Sequence, residues 1–221
     1  MAQEIKTINF GGVNCYLVKS EAGFFLIDAG FSNKRARIEK ELESAGCRPG
    51  SLKLILLTHG DSDHSGNCRY LRDKYAAKIA MHPAETDVAE RGDMLLSRKH
   101  RPFLASLILP FIKLNKSDRF KPDFTIDEGY DLSGYGFDAK VLYLPGHTQG
   151  SIGILTGSGD LFCGDLLVNT DKPAKNNLVD DPGQLNASVE RLYSLEIKTV
   201  YPGHGRPFPL EQLQIKTGVL S

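Results

Sequence analysis

The sequence predicts a layered α/β domain. Its 221 residues are 41% hydrophobic and 24% charged, as in an ordinary folded domain with a sizeable core. Residues 52–57 form a nearly continuous apolar run, which is typical of a strand buried on both faces. A helical pattern follows to about Tyr75, and residues 78–81 then form another short strand. This strand–helix–strand order predicts sheets covered by helices.

The remaining elements follow from periodicity and turn residues. Ser32 is a candidate cap for a helix over residues 33–44, because apolar residues recur there at helical spacing. The turn sequence at 157–160 predicts a hairpin between two strands. The other predicted strands cover residues 5–10, 14–18, 23–27, 140–144, 151–156, 161–163 and 198–201, and another helix covers 184–195.

Composition narrows the classes of partner and the cellular location that we expect. Lys plus Arg and Asp plus Glu both number 27, and a zero net charge argues against nucleic acid as a partner. The N-terminus has no basic stretch before an apolar run, and the apolar stretch at 102–114 is too short to span a bilayer. The four scattered cysteines are typical of reduced thiols. We therefore expect a cytoplasmic protein with a small-molecule substrate and no membrane partner, and a homodimer stays open.

We expect one domain over residues 1–221, with a helical insertion at about 90–124. One or two helices are predicted there, interrupted by Pro102 and Pro110. Its apolar residues exceed what a solvated loop carries. Phe103, Leu107 or Phe111 is therefore expected near the substrate cleft or at a dimer interface.

Four polar clusters follow apolar strands, and they contain four of the six histidines. Loops at strand ends are where a rigid scaffold presents reactive groups. The cluster HGDSDH at 59–64 places carboxylates and imidazoles beside a buried strand, which is costly without a cation. It therefore predicts a metal site. The other clusters are PGHTQGS at 145–151, GD at 164–165 and PGHG at 202–205.

The order HxxxDH, PGHTxGS, GD and PGHG, preceded by LIDAG at 26–30, resembles the metallo-β-lactamase superfamily. The resemblance runs from about residue 14 to residue 206. It implies an α/β (α+β) fold, a four-layer αββα sandwich of two mixed β-sheets flanked by helices, with metals at one edge of the sheets. It also implies that Asp28 supports the site without binding metal. The implied ligands are His59 and His147 for one metal, Asp63, His64 and His204 for the other, and Asp165 as the bridge.

Asp61 is where the sequence departs from the family, whose usual pattern HxHxDH has histidine at this position. The flavodiiron branch carries Glu here, so a carboxylate is chemically admissible and Asp61 is counted as a seventh ligand. We expect two divalent ions, zinc first. Iron and manganese are alternatives, because a carboxylate makes the site harder.

The leading hypothesis is a metal-dependent hydrolase that uses a metal-bridged hydroxide to cleave a small ester, thioester, lactone or phosphoester. In it, Asp63 is the catalytic residue that orients the hydroxide and passes a proton to the leaving group. One alternative is a di-iron redox protein that reduces dioxygen or nitric oxide. Another is a metal-binding scaffold without turnover.

Overall fold

A computed structural model of the chain describes residues 4–96, 98 and 113–214. Within these residues, two six-stranded sheets form the centre of the molecule. The first sheet contains β1 (Glu4–Asn9), β2 (Asn14–Ser20), β3 (Gly23–Ile27), β4 (Leu52–Leu56), β5 (Lys78–Met81) and β6 (Phe124–Thr125). The second contains β7 (Ala139–Tyr143), β8 (Ile152–Thr156), β9 (Asp160–Asn169), β10 (Ala174–Lys175), β11 (Thr199–Gly205) and β12 (Phe208–Pro209).

Both sheets are mixed. In the first, β1, β2 and β3 pair antiparallel, and β3 to β6 continue in parallel order. In the second, β7, β8 and β9 form an antiparallel meander, while β11 lies parallel to β9. Parallel neighbours place their carboxyl ends at the same edge of a sheet, so the loops after β3, β4 and β5 meet there.

The described helices are α1 (Arg35–Ser44), α2 (Ser62–Ser65), α3 (Cys68–Tyr75), α4 (Thr86–Arg91) and α5 (Pro182–Leu192). Sequence signals define the start of α5, where Pro182 lies at the first position and Asp181 accepts a hydrogen bond from the Gln184 N–H. The predicted cap at Ser32 is wrong. Ser32 begins a short 3-10 turn, Ser32–Lys34, and α1 begins after it without a side-chain cap.

Three apolar clusters separate the layers. The middle cluster joins the facing sides of the two sheets, with Phe25 and Leu54 from one sheet and Val141 and Phe162 from the other. A second cluster packs α1 and α3 on the outer face of the first sheet, and a third packs α5 on the outer face of the second. Successive strand residues point to opposite faces, so each sheet supplies two clusters. The predicted αββα sandwich is confirmed.

The predicted insertion at 90–124 is described only in part. The chain leaves α4 at Arg91, and Leu114 and Phe120 return to pack in the cluster beneath α1 and α3. Phe103, Leu107 and Phe111 lie outside the described residues, so their expected place at a cleft or dimer interface stays a prediction. Among the described residues, no helix is long and apolar enough to cross a membrane. The four cysteines are free and buried.

Candidate metal centre

The structure brings all seven predicted ligand residues to one edge of the sandwich. His59 and Asp61 lie between β4 and α2, and Asp63 and His64 lie on α2 itself. His147 follows β7, Asp165 lies within β9 and His204 lies within β11. The second sheet thus supplies three side chains and the first sheet supplies four. The centre therefore forms only when the two sheets pack together.

One half of the centre consists of His59, Asp61 and His147, whose ligand atoms lie within 4.8 Å of one another. Asp61 Oδ2 is 3.7 Å from His59 Nε2 and 3.3 Å from His147 Nε2. All three side chains are buried. Two imidazole nitrogens and one carboxylate oxygen facing a common point form a donor set that suits a divalent transition metal.

The other half consists of Asp63, His64 and His204. Asp63 Oδ2 is 3.6 Å from both His64 Nε2 and His204 Nε2. This half is more open than the first, because Asp63 and His204 retain 21% and 25% of their side-chain exposure. Solvent and a substrate can therefore reach the centre from this side.

Asp165 contacts both halves. Its Oδ1 is 3.3 Å from His64 Nε2, and its Oδ2 is 3.1 Å from His204 Nε2 and 3.7 Å from His147 Nε2. The strand around it is irregular, since Gly164 has φ +50° and the β9–β11 register shifts beside Pro202. These irregularities turn Asp165 towards the histidines, and its position suits the bridge that the resemblance implies.

All four histidines are held by Nδ1, which leaves Nε2 directed into the centre. Nδ1 of His64 donates to Asp28 Oδ2 at 2.9 Å. Nδ1 of His147 donates to the Leu178 carbonyl at 2.6 Å, and Nδ1 of His204 donates to the Gly12 carbonyl at 3.0 Å. Thr58 donates its hydroxyl proton to Asp28 and accepts from Nδ1 of His59. Such outer hydrogen bonds orient metal-binding imidazoles and fix their tautomer.

Asp28 is placed as the resemblance implies. It is buried at the end of β3, and its carboxylate accepts hydrogen bonds from the Thr58 backbone N–H and from His64. Its φ of +59° is unusual for a residue other than glycine. The surrounding hydrogen bonds hold this conformation, so Asp28 positions two of the histidines from outside the centre.

Four buried atoms of the centre have no hydrogen-bond partner: His59 Nε2, Asp61 Oδ1, His64 Nε2 and Asp165 Oδ1. Buried polar atoms without partners are costly and rare. Cations bound among these atoms would satisfy them, so the residues present fit two divalent metal ions.

Burial and neighbouring charges shift the pKa values of the side chains in the centre. Burial opposes charge on Asp165 and Asp61, but nearby imidazoles outweigh it and hold the pKa of both carboxyls below the usual range. Burial lowers the pKa of His59, and the adjacent His64 lowers it further. Burial raises the pKa of Asp63. The centre therefore contains ionised carboxylates beside the neutral imidazole of His59. Burial opposes charge on His64 and His204, but the nearby carboxylates outweigh it and raise the pKa of both imidazoles, so a metal that binds there displaces their protons.

Sequence reasoning missed Glu85, which is fully buried and lies just before α4. Its two oxygens accept hydrogen bonds from the backbone N–H groups of Gly60 and Gly150, both at 3.0 Å. Glu85 thus connects the loop that carries His59 to the loop that carries His147. A lone glutamate outside a motif gives no sequence signal for such a contact.

The second residue missed is Arg98. Its Nη2 donates to Asp61 Oδ2 at 2.6 Å, and its Nη1 donates to the main-chain carbonyl of His147. In the sequence, Arg98 lies in a basic run, and such a run is usually solvated. The structure instead places its guanidinium, with 8% side-chain exposure, against the first half of the centre.

The fold and the site together define a layered α/β protein with a centre for two metal ions. The family described as the metallo-beta-lactamase superfamily matches residues 8–204, and the chain belongs to that superfamily. Several of its curated relatives are named as hydrolases, and the chain is a metal-dependent hydrolase of this class.

Two curated relatives illustrate the match. "Probable metallo-hydrolase YqjP" of Bacillus subtilis is 28% identical over 93% of this chain and 71% of the relative. "Hydroxyacylglutathione hydrolase" of Aeromonas hydrophila is 35% identical over 86% of this chain and 59% of the relative. The chain thus spans about three fifths of the length of the second relative.

Solved structures agree with the fold. The crystal structure of TTHA1623 in a di-iron-bound form has a TM-score of 0.71 at 28% identity, covering 95% of this chain and 96% of that one. An archaeal superfamily protein, ST1585 from Sulfolobus tokodaii, has a TM-score of 0.73 at 21% identity, covering 96% of this chain and 84% of that one.

Proposed function

We propose that this protein hydrolyses a small ester or thioester at a two-metal centre. The observation that carries the proposal is the pair of ligand groups joined by Asp165, with four buried ligand atoms that make no hydrogen bond. His59, Asp61 and His147 would hold one ion, and Asp63, His64 and His204 would hold the other. Two such ions lower the pKa of water and stabilise negative charge on a substrate oxygen.

Asp63 is the catalytic carboxylate in this proposal. It is partly exposed on the open side of the centre, whereas Asp61 and Asp165 are almost fully buried. Asp63 would therefore orient the attacking water, take up a proton from it and pass that proton to the leaving group.

Beside Ser62, the neighbour of Asp63, lies a pocket of about 290 Å³. Phe31, Asn33, Lys113 and Asn115 also line it. Its size suits a small substrate. Relatives named hydroxyacylglutathione hydrolase, 31% and 35% identical to this chain, support an acyl compound over a phosphoester.

For the metals, we propose zinc in at least one position, with iron or manganese accepted because of the Asp61 carboxylate. The di-iron-bound form of TTHA1623 supports iron, because it shows that a protein of this fold can bind two iron ions. Metal analysis of the protein as purified, followed by reconstitution of the apo-protein with each ion, separates these possibilities.

The test is a panel of a hydroxyacyl thioester, an aryl ester, a lactone and a phosphodiester, assayed with the reconstituted protein. We expect turnover of the thioester or ester, and a loss of about 100-fold or more in Asp63→Asn without a change in folding. Asp87→Asn, which changes an exposed aspartate on α4, is the matched control and should retain activity.

Cleavage of the phosphodiester alone would contradict the acyl substrate. No turnover of any compound would favour the scaffold hypothesis, and oxygen consumption by the iron form would favour the redox one.

A further inference from the structure

The guanidinium of Arg98 lies against the donor atoms of one half of the centre. Its Nη2 is 2.6 Å from Asp61 Oδ2 and 3.3 Å from His147 Nε2. Nη1 donates to the His147 carbonyl, so the group spans the two loops that carry these ligands. The contact is sheltered, because side-chain exposure is 8% for Arg98 and 4% for Asp61.

Arg98 uses the same atoms that would bind the metal. Asp61 Oδ2 is the oxygen that faces both imidazoles, at 3.7 Å from His59 Nε2 and 3.3 Å from His147 Nε2. The other oxygen, Oδ1, is buried without a partner. A metal ion in this half would be held by His59, Asp61 and His147. The guanidinium is held by Asp61 and His147, so the two cations compete for one place.

The second half of the centre has no such competitor. Among the described ion pairs, those of Asp63, His64 and His204 are only with one another, with Asp28 and with Asp165. No described lysine or arginine contacts these three side chains. The two halves therefore differ in what an entering ion must displace.

We propose that Arg98 occupies the His59–Asp61–His147 half when metal is absent and leaves it when metal binds, so that the two ions bind in order. Arginine keeps its charge at any physiological pH, so the guanidinium leaves by moving and not by losing a proton. An ion entering this half breaks a buried, charge-assisted hydrogen bond. The half with Asp63, His64 and His204 fills first and more tightly. This inference rests on the two-ion centre of the proposed function but not on its substrate.

Metal titration of the apo-protein tests the proposal. Apo-protein is titrated with Zn²⁺ by calorimetry and by competition with a chromophoric chelator, for wild type and for Arg98→Met, which keeps the apolar stem and removes the charge. Wild type should bind two ions with unequal affinity. Arg98→Met should bind the weaker ion about tenfold or more tightly and leave the tighter ion unchanged, since a charged hydrogen bond no longer has to break.

Thermal unfolding gives a second measurement, the difference in Tm between wild type and Arg98→Met with and without metal. Without metal, Arg98→Met should have a lower Tm than wild type, because Asp61 loses its buried partner. With saturating Zn²⁺, the difference should shrink or reverse. A residue with a merely structural role would lower the Tm equally in both states, and that result would overturn the proposal.

Two controls complete the experiment. Arg91→Met removes an exposed arginine that pairs with Asp87 and should leave both metal affinities and both Tm values within error. Asp61→Asn should weaken the same ion that Arg98→Met strengthens. Unchanged or weakened binding in Arg98→Met would contradict the competition, as would a single bound ion in both proteins. Because the readout is metal binding, these outcomes are independent of whether any ester or thioester is hydrolysed.

Discussion

Asp61 introduces a carboxylate at a position where the superfamily pattern has histidine. The structure places it in a ligand group with His59 and His147. Oxygen ligands favour harder ions than imidazole does, so this half should be less selective for zinc. We predict that Asp61→His raises the preference for zinc over manganese about tenfold or more. Competition between the two ions for apo-protein, followed by metal analysis, measures this preference. An unchanged preference would mean that Asp61 does not bind metal.

Glu85 is the residue that connects the two ligand loops through backbone N–H groups. Gln has one accepting oxygen in place of two, so Glu85→Gln leaves the N–H of Gly60 or Gly150 without a partner. We predict that the free energy of unfolding falls by about 1–3 kcal/mol, the usual cost of such a loss. Chemical denaturation measures it, with the exposed Glu90→Gln as the matched control.

The effect of Glu85→Gln should depend on pH. Burial raises the pKa of Glu85, although the Thr148 hydroxyl opposes the increase. The folded protein therefore holds this proton more tightly than the unfolded chain, whose glutamates titrate near about 4.3. Wild-type stability from this group is full below that pH and declines as pH rises through the folded pKa. The stability difference between wild type and Glu85→Gln should therefore shrink between pH 4 and pH 7. A difference that grows with pH would contradict the assigned direction.

At the level of elements, β11 passes close beside β9 where both carry ligands. A Cβ at Gly203 would lie 2.2 Å from Asp165 Oδ1 and 2.7 Å from His64 Cε1. Either the carboxylate or the strand must move to accept it. We predict that Gly203→Ala weakens metal binding about tenfold or more, since displacing a ligand carboxylate removes a metal contact. Metal titration of the apo-protein measures the change.

Gly134 is the matched control for Gly203. It lies in the turn Ser133–Tyr135, and a Cβ there would meet nothing within 4 Å. Gly134→Ala should therefore bind metal like wild type. Equal effects of the two substitutions would show that the close approach of β11 to Asp165 is unimportant for the centre.

At the level of the whole molecule, the three apolar clusters lie between the layers, whereas the metal centre lies at their edge. The fold should therefore persist without metal but be less stable. Metal that binds only the folded state adds about 2.7 kcal/mol at 100 times its dissociation constant. We predict that a chelator lowers the Tm by several degrees while the far-ultraviolet circular dichroism keeps its native shape. Complete unfolding on chelation would show that the centre is required for the fold.

The sequence by itself determined the layered class, most strands and the identity of the clustered ligands. Period-2 and apolar-run patterns predicted β3 and β5 to the residue, and the turn at 157–160 predicted the β8–β9 hairpin. These features are local, since each depends on the backbone preferences of a few neighbouring residues. The predicted strand ends were less accurate. The strand predicted at 161–163 is β9, which extends to Asn169 and carries Asp165 within it.

Only the tertiary structure decided which atoms meet. Glu85 is 25 residues from Gly60 and 65 from Gly150 along the chain, yet it joins their loops. Arg98 reaches Asp61 across 37 residues and faces its metal-binding oxygen. Neither residue belongs to a motif or a periodic pattern. Their contacts depend on how the two sheets and the surrounding segments pack, and packing is a property of the whole chain that no short stretch of sequence encodes.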